Sequence, residues 1–223
     1  MNDRLELLYA ARKRALEAEA VVFDVEDEAE LVPALSLAID AARDQGERAE
    51  RSFRLQVVAD LLGRVFDGGA MALLLGILND DDASVRARAA AAIGRGGRDR
   101  LPLLARVALD ALDDGLEGPA LLELPGLLLD VGDDEDPPPL DVLVRLLDHD
   151  DANVAAEAAC ALGEVDVEGV RELLESFVED ERPLSDAVDG PATLGALVEQ
   201  VLMALSLEGD LSDISDLGDP MEG

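Results

Sequence analysis

The chain contains the stretch Asn79-Asp-Asp-Asp-Ala-Ser-Val-Arg-Ala-Arg-Ala-Ala-Ala-Ala-Ile-Gly94, and the same pattern returns 69 residues later in Asp148-His-Asp-Asp-Ala-Asn-Val-Ala-Ala-Glu-Ala-Ala-Cys-Ala-Leu-Gly163. Both stretches keep an Asp-rich start, one Val, paired Ala residues and a closing Gly in register. A spacing of twice a unit of about 30–40 residues is typical of a repeat array. We therefore expect a fold built from similar units stacked on one another.

The apolar residues of these stretches have the spacing of an α-helix. In the first stretch, positions i, i+4, i+7 and i+8 are occupied by Val85, Ala89, Ala92 and Ile93. This order places one apolar stripe on an amphipathic helix. We predict helices over residues 71–78 and 83–93, with Asp82 as the N-cap of the second helix and Asp151 in the same place one copy later.

Glycines mark the predicted ends of the second helices. They follow apolar stretches at intervals of 31, 38 and 31 residues, at Gly63, Gly94, Gly132 and Gly163. A glycine just after the last helical residue usually adopts a left-handed conformation, and we expect that conformation here. Counting backward from the glycines predicts helix pairs over residues 28–66, 69–97, 99–134 and 137–166, with a degenerate fifth pair over 167–208.

The two ends of the chain are predicted to differ from the pairs. Residues 2–20 have a helical apolar rhythm and are expected to form an N-terminal capping helix, because the end unit of an array must present a polar face to water. Residues 209–223 are acidic and lack that rhythm, which is typical of a disordered tail. We therefore expect one α-solenoid over residues 1–208 and an acidic tail over 209–223.

Composition favours an all-α protein. The chain has 223 residues, of which 49% are hydrophobic and only 2% aromatic, and it has no Trp. Abundant Ala and Leu suit closely packed helices better than strands. The start lacks the pattern of a secretory signal, and no uncharged apolar run approaches the 18 or so residues of a membrane span. We expect a cytoplasmic protein that is not bound to membranes.

The charge is strongly acidic and unevenly distributed. The formal net charge is −33, with 19 acids and 15 bases in residues 1–106 but 32 acids and 3 bases in residues 107–223. Such a field repels nucleic acid and anionic membranes, since both bind through Lys and Arg. It favours a protein partner with a basic surface. Acidity that only maintains solubility, or suits a salty cytoplasm, remains the alternative.

The repeated pattern resembles the HEAT repeat, in the short form of the phycobilisome-lyase-like family. That form has Leu-Leu, an Asp-rich turn, Val-Arg, Ala-Ala and Leu-Gly. Residues 78–94 match it, including Val85-Arg86, whereas residues 147–163 depart from it at Ala155, where the family usually has Arg. The resemblance implies a right-handed α-α superhelix of about five helix pairs that acts as a protein-binding scaffold or adaptor. It also implies that this Arg pairs with Asp residues of adjacent turns.

A cluster of arginines is the candidate partner-binding site. In HEAT arrays the second helices line the concave face, so Arg86, Arg88 and Arg95 are candidates to meet the carboxylates of a partner. The matching helix of the later copy would present a smooth apolar patch of Ala155, Ala156 and Ala159, suited to an amphipathic helix of mixed charge. The alternative is that the arginines pair with residues 80–82 and with neighbouring repeats.

Motifs for catalysis are not found in the sequence. There is no Gly-rich phosphate loop, no Gly-x-Ser-x-Gly elbow and no supported Cys–His pair, so we expect no enzyme, no cofactor and no metal site. His149 fits an exposed turn residue and Cys160 a buried, inert thiol. Two further functions stay open: an accessory lyase-like or chaperone-like subunit acting on a client protein, and an acidic mimic of nucleic acid.

Overall fold

The computed structural model describes residues 13, 28–95, 97–129, 139–165, 167, 169–185 and 190–215. These residues form ten α-helices, one short 3-10 helix at Gly97–Arg100 and a single isolated antiparallel bridge between Pro183 and Thr193. Neighbouring helices pack in pairs. The predicted all-α class is therefore confirmed. The chain divides into two compact units, Met1–Gly96 and Gly97–Gly223.

The first unit contains two helix pairs. Its helices are α1 (Glu28–Arg43), α2 (Arg48–Leu62), α3 (Gly68–Leu78) and α4 (Ala83–Gly94). Helix α2 packs against α1 and α4, and α4 also packs against α3, so the two second helices lie side by side. The core of this unit includes fully buried aliphatic side chains, among them Leu55, Leu62, Leu74 and Leu78.

The second unit is built around one central helix. Its helices are α5 (Leu101–Asp113), α6 (Ala120–Leu127), α7 (Pro139–Leu147), α8 (Ala152–Glu164), α9 (Val170–Glu175) and α10 (Leu194–Ser215). Helix α8 packs against α6, α7, α9 and α10. None of the helices in the described parts of the two units has the length and apolar character that a membrane crossing requires.

Both predicted N-caps are confirmed. The Asp82 carboxylate accepts the backbone N–H of Ser84 at 2.9 Å, and the Asp151 carboxylate accepts that of Asn153 at 2.9 Å. Each bond satisfies a donor that the first turn of a helix leaves free. Hydrogen bonds from the Ser52 hydroxyl, and then from the Ser84 hydroxyl and backbone, hold the pKa of Asp82 well below its usual range.

The glycine prediction is right about position for Gly63, which directly follows α2, whereas Gly94 is the last residue of α4 and Gly163 lies one residue before the end of α8. The predicted left-handed conformation is wrong. Gly63 ends α2 with φ −60°, and neither Gly94 nor Gly163 has a positive φ. The reason for Gly63 is close packing: a Cβ added there would lie 2.9 Å from Ala92 Cβ, so the missing side chain lets α2 and α4 approach. Gly132 lies outside the described residues.

The ends of the chain are described only in part. The predicted capping helix over residues 2–20 lies outside the described residues except for Lys13, which is helical. Helix α10 continues to Ser215, so residues 209–215 of the segment predicted as a tail are helical. Residues 216–223 lie outside the described part.

Candidate protein-binding surfaces

A ladder of polar contacts joins α2 to α4. Ser52, Gln56 and Asp60 follow one another at intervals of four residues, so they share one side of α2. The Ser52 hydroxyl donates to Asp82 at 2.7 Å, and the Gln56 amide donates to the Ser84 hydroxyl at 3.0 Å. These contacts set the register between the two second helices.

The last step of the ladder brings two of the three predicted arginines together. Asp60 accepts Arg88 at 2.6 Å through one carboxylate oxygen and Arg95 through the other. Arg86 instead donates to the backbone carbonyls of Asp80 and Asp81 at 3.1 and 3.4 Å. Since two guanidinium groups share one carboxylate, this cluster keeps a net positive charge. All three arginines make contacts within the chain.

Beside the ladder, α2 exposes two large apolar side chains. Phe53 is 63% exposed and Val57 is 42% exposed, one turn apart. Arg54 is exposed beside them, and across the ladder α4 exposes the arginine pair and two small residues. We call this surface the α2–α4 face; its residues are Phe53, Arg54, Val57, Ala87, Arg88, Ala91 and Arg95.

Phe53 and Val57 were not among the predicted site residues. The sequence nevertheless indicates that both are exposed, because both lie outside the buried stripe of α2. That stripe consists of Ser52, Leu55, Val58, Ala59 and Leu62. An aromatic residue outside the core stripe of a helix, in a chain with only four Phe, marks a surface candidate.

The predicted alanine patch is wrong. Ala155, Ala156 and Ala159 are all buried. The physical reason is that α8 is the central helix of its unit and has neighbours on several sides. Small side chains there allow close helix packing, and the three alanines form no exposed patch.

An arginine from a later segment substitutes for the one missing at Ala155. A shift of 69 residues relates Arg86 to Ala155, and it relates the two carbonyls that Arg86 binds to those of His149 and Asp150. Arg182 donates to these two carbonyls at 2.6 and 3.4 Å. The turn between α7 and α8 is thus held from outside its own helix pair.

The Arg182 guanidinium is itself held in place. It donates to both carboxylate oxygens of Asp180: Nε lies 3.1 Å from Oδ1, and Nη2 lies 2.8 Å from Oδ2. These hydrogen bonds lower the pKa of Asp180. His149 contributes to the same turn, because its Nδ1 accepts the backbone N–H of Asp151 at 3.0 Å. In the described part of the chain, no group of three or more His, Cys, Asp or Glu residues could hold a metal ion.

A groove of about 420 Å³ borders α8 in the second unit. Its lining includes Leu122, Ala156, Glu157, Cys160 and Leu197. The expectation of a buried thiol is wrong, since Cys160 is exposed. Partial burial, together with nearby Glu157 and Glu164, raises the pKa of Cys160. The thiol therefore stays protonated near neutral pH and is a poor nucleophile.

The reactivity of Cys160 is expected to depend on Glu157. The Glu157→Gln variant removes one of the negative charges that disfavour the thiolate, so the pKa of Cys160 falls and alkylation by iodoacetamide becomes faster at mildly alkaline pH. The matched control is Glu172→Gln on α9, which leaves the charges that raise this pKa in place. Equal alkylation rates in the wild type and Glu157→Gln would contradict this account.

The chain matches no protein-family model and no curated protein.

Proposed function

We propose that the protein is a non-catalytic, cytoplasmic adaptor of the HEAT-like type, and that its α2–α4 face binds an acidic amphipathic helix of a partner protein. The observation that carries the proposal is the exposure of Phe53 and Val57 beside a group of arginines. Two aromatic side chains of the described residues are largely exposed: Phe66 lies in the connection between α2 and α3, whereas Phe53 lies on the face of a helix. Such a residue is a typical anchor for a protein contact.

The spacing of the apolar residues suits a helical ligand. Phe53 and Val57 are four residues apart, so they form one short ridge along α2. Ala87 and Ala91 are also four residues apart and exposed on α4, and their small side chains project little from that helix. An amphipathic helix binds such a surface with anchors at i, i+3 or i+4.

The charges of the face favour an acidic ligand. Arg88 and Arg95 share the Asp60 carboxylate, and Arg54 pairs with Glu50 at 2.7 Å on the surface of the same helix. A carboxylate of the ligand could join either group without breaking it, because a guanidinium has five donors. The contacts would be exposed to solvent, so they would contribute to orientation and association rate more than to affinity.

The test uses two synthetic helical peptides, one with a Leu stripe flanked by Glu and one with the same stripe flanked by Lys. We expect the Leu/Glu peptide to bind the full chain, measured by fluorescence anisotropy. The Phe53→Ser/Val57→Ser variant should raise its Kd about tenfold or more, since loss of central anchors usually costs at least about 1.4 kcal/mol. Circular dichroism should show unchanged helix content, because both side chains are exposed.

The matched control is Leu37→Ser, which removes a side chain on α1 that is 70% exposed. Its Kd for the Leu/Glu peptide should equal that of the wild type. Arg54→Glu should raise the Kd of the Leu/Glu peptide, and added salt should reduce the difference in Kd between this variant and the wild type. The proposal fails if the Leu/Glu peptide does not bind, or if the Phe53→Ser/Val57→Ser variant binds it as tightly as the control does.

A further inference from the structure

The last helix of the second unit is covered on only one side in its later turns. Leu194 and Val198 in the first turns of α10 are fully buried, and α10 packs against α8 and α9. On one side these contacts continue, since Arg171 of α9 donates to the Ser206 hydroxyl. After Val198, none of residues 199–207 is buried. Met203 and Leu207 are 65% and 62% exposed.

This open portion of α10 has the composition of a buried helix. Residues 201–207 read Val-Leu-Met-Ala-Leu-Ser-Leu, with no charge in the run. A helix that is apolar on all sides is normally buried. Contacts with α8 and α9 cover one side of this run, and we infer that another helix covers the side that carries Met203 and Leu207.

The two large exposed residues of this portion form a short apolar stripe. Met203 and Leu207 are four residues apart. Helical geometry brings positions 203 and 207 to the same side of the axis. The stripe therefore offers two anchors, one turn apart, to a helical ligand.

The charges around the stripe determine what can cover it. Residues 107–223 contain only three bases, and each is engaged within the unit. Arg145 pairs with Asp113 at 2.7 Å, Arg171 donates to the Ser206 hydroxyl at 3.3 Å, and Arg182 pairs with Asp180 at 2.8 Å. A second copy of this half would bring further acids against the 32 already present, and like charges oppose contact.

We propose that the open half of α10 is a second docking site and that its occupant is a basic amphipathic helix, with an apolar stripe flanked by Lys and Arg. This site has the opposite charge preference to the α2–α4 face and uses no residue of that face. The protein is then an adaptor with two different surfaces, one for an acidic helix and one for a basic helix. Either site could exist without the other.

The experiment titrates the full chain with the Leu/Lys peptide and compares the wild type with Met203→Ser/Leu207→Ser. We expect the variant to raise the Kd about tenfold or more and to keep its helix content, because both side chains are exposed. The control Leu37→Ser should bind as the wild type does. Binding of the Leu/Glu peptide should be unchanged in the α10 variant, which separates this proposal from that for the α2–α4 face.

Two results would overturn the proposal. One is an equal Kd for the Leu/Lys peptide in the wild type and the α10 variant, which would mean that the peptide senses only the general acidity of the chain. The other is a wild-type dimer in sedimentation equilibrium that the α10 variant converts to monomer, because a second copy would then be the occupant.

Discussion

Replacement of Gly195 by alanine is expected to lower the free energy of unfolding by about 3 kcal/mol, near the upper end for overpacking. A Cβ added at this position would lie 2.3 Å from the Val178 carbonyl oxygen and 2.9 Å from its carbon. Backbone atoms cannot rotate away as a side chain can. The Gly195 backbone N–H also donates to the Asp180 carbonyl at 2.9 Å, so α10 would have to move away from a segment to which it is bonded.

Urea denaturation followed by far-UV circular dichroism measures this effect. The matched control is Gly94→Ala at the end of α4, where an added Cβ would meet nothing within 4 Å. Alanine is a better helix former than glycine, so the control should stay within about 1 kcal/mol of the wild type, on the stabilising side. Equal midpoints for the two variants would mean that α10 does not approach the segment ending at Asp180 as closely as described.

The second large effect is expected from Arg182→Ala, which should lower the free energy of unfolding by about 2 kcal/mol. The variant removes the donors for the carbonyls of His149 and Asp150, and it leaves the Asp180 carboxylate with the backbone N–H of residue 182 but without the guanidinium. Part of the loss is recovered by water, because the Arg182 side chain is 32% exposed. Arg182→Lys keeps the charge but not the planar guanidinium. Its free energy of unfolding should lie between those of Arg182→Ala and the wild type.

The pH dependence supplies an independent check on Arg182. The pKa of Asp180 is lowered in the folded protein, chiefly by its hydrogen bonds to Arg182, so the pair stabilises the fold above the ordinary carboxyl pKa of about 4. This contribution is lost as the pH falls through the lowered pKa. The difference in stability between the wild type and Arg182→Ala should therefore shrink on acidification. A pH-independent difference would contradict the role given to Asp180. The control is Arg171→Ala, which loses one exposed hydrogen bond and should change the free energy of unfolding little at any pH.

The features that sequence predicted well are local ones. The helices expected over residues 71–78 and 83–93 are α3 and α4, at Gly68–Leu78 and Ala83–Gly94. The N-cap at Asp82 was also correct. Capping bonds and apolar periodicity depend on residues within one or two turns, so a single repeat stretch contains nearly all the information they need.

The features that sequence missed depend on residues far apart in the chain. Gly63 is explained by Ala92, and the carbonyls near Ala155 are bonded by Arg182. The Ala patch could not be assigned correctly from its own helix, because its burial follows from the number of neighbours around α8. The residues of the α2–α4 face were predicted only in part: the pattern indicated Arg88 and Arg95, but Arg54, Phe53 and Val57 were not predicted.

The most direct test of the adaptor proposal is to map the binding of the Leu/Glu peptide by backbone amide chemical shifts on the isotope-labelled full chain. The account predicts that saturable shifts concentrate in α2 around Phe53 and Val57 and in α4 between Ala87 and Arg95. Saturable shifts that fall in α10, or that spread over both units without a maximum on the α2–α4 face, would contradict it.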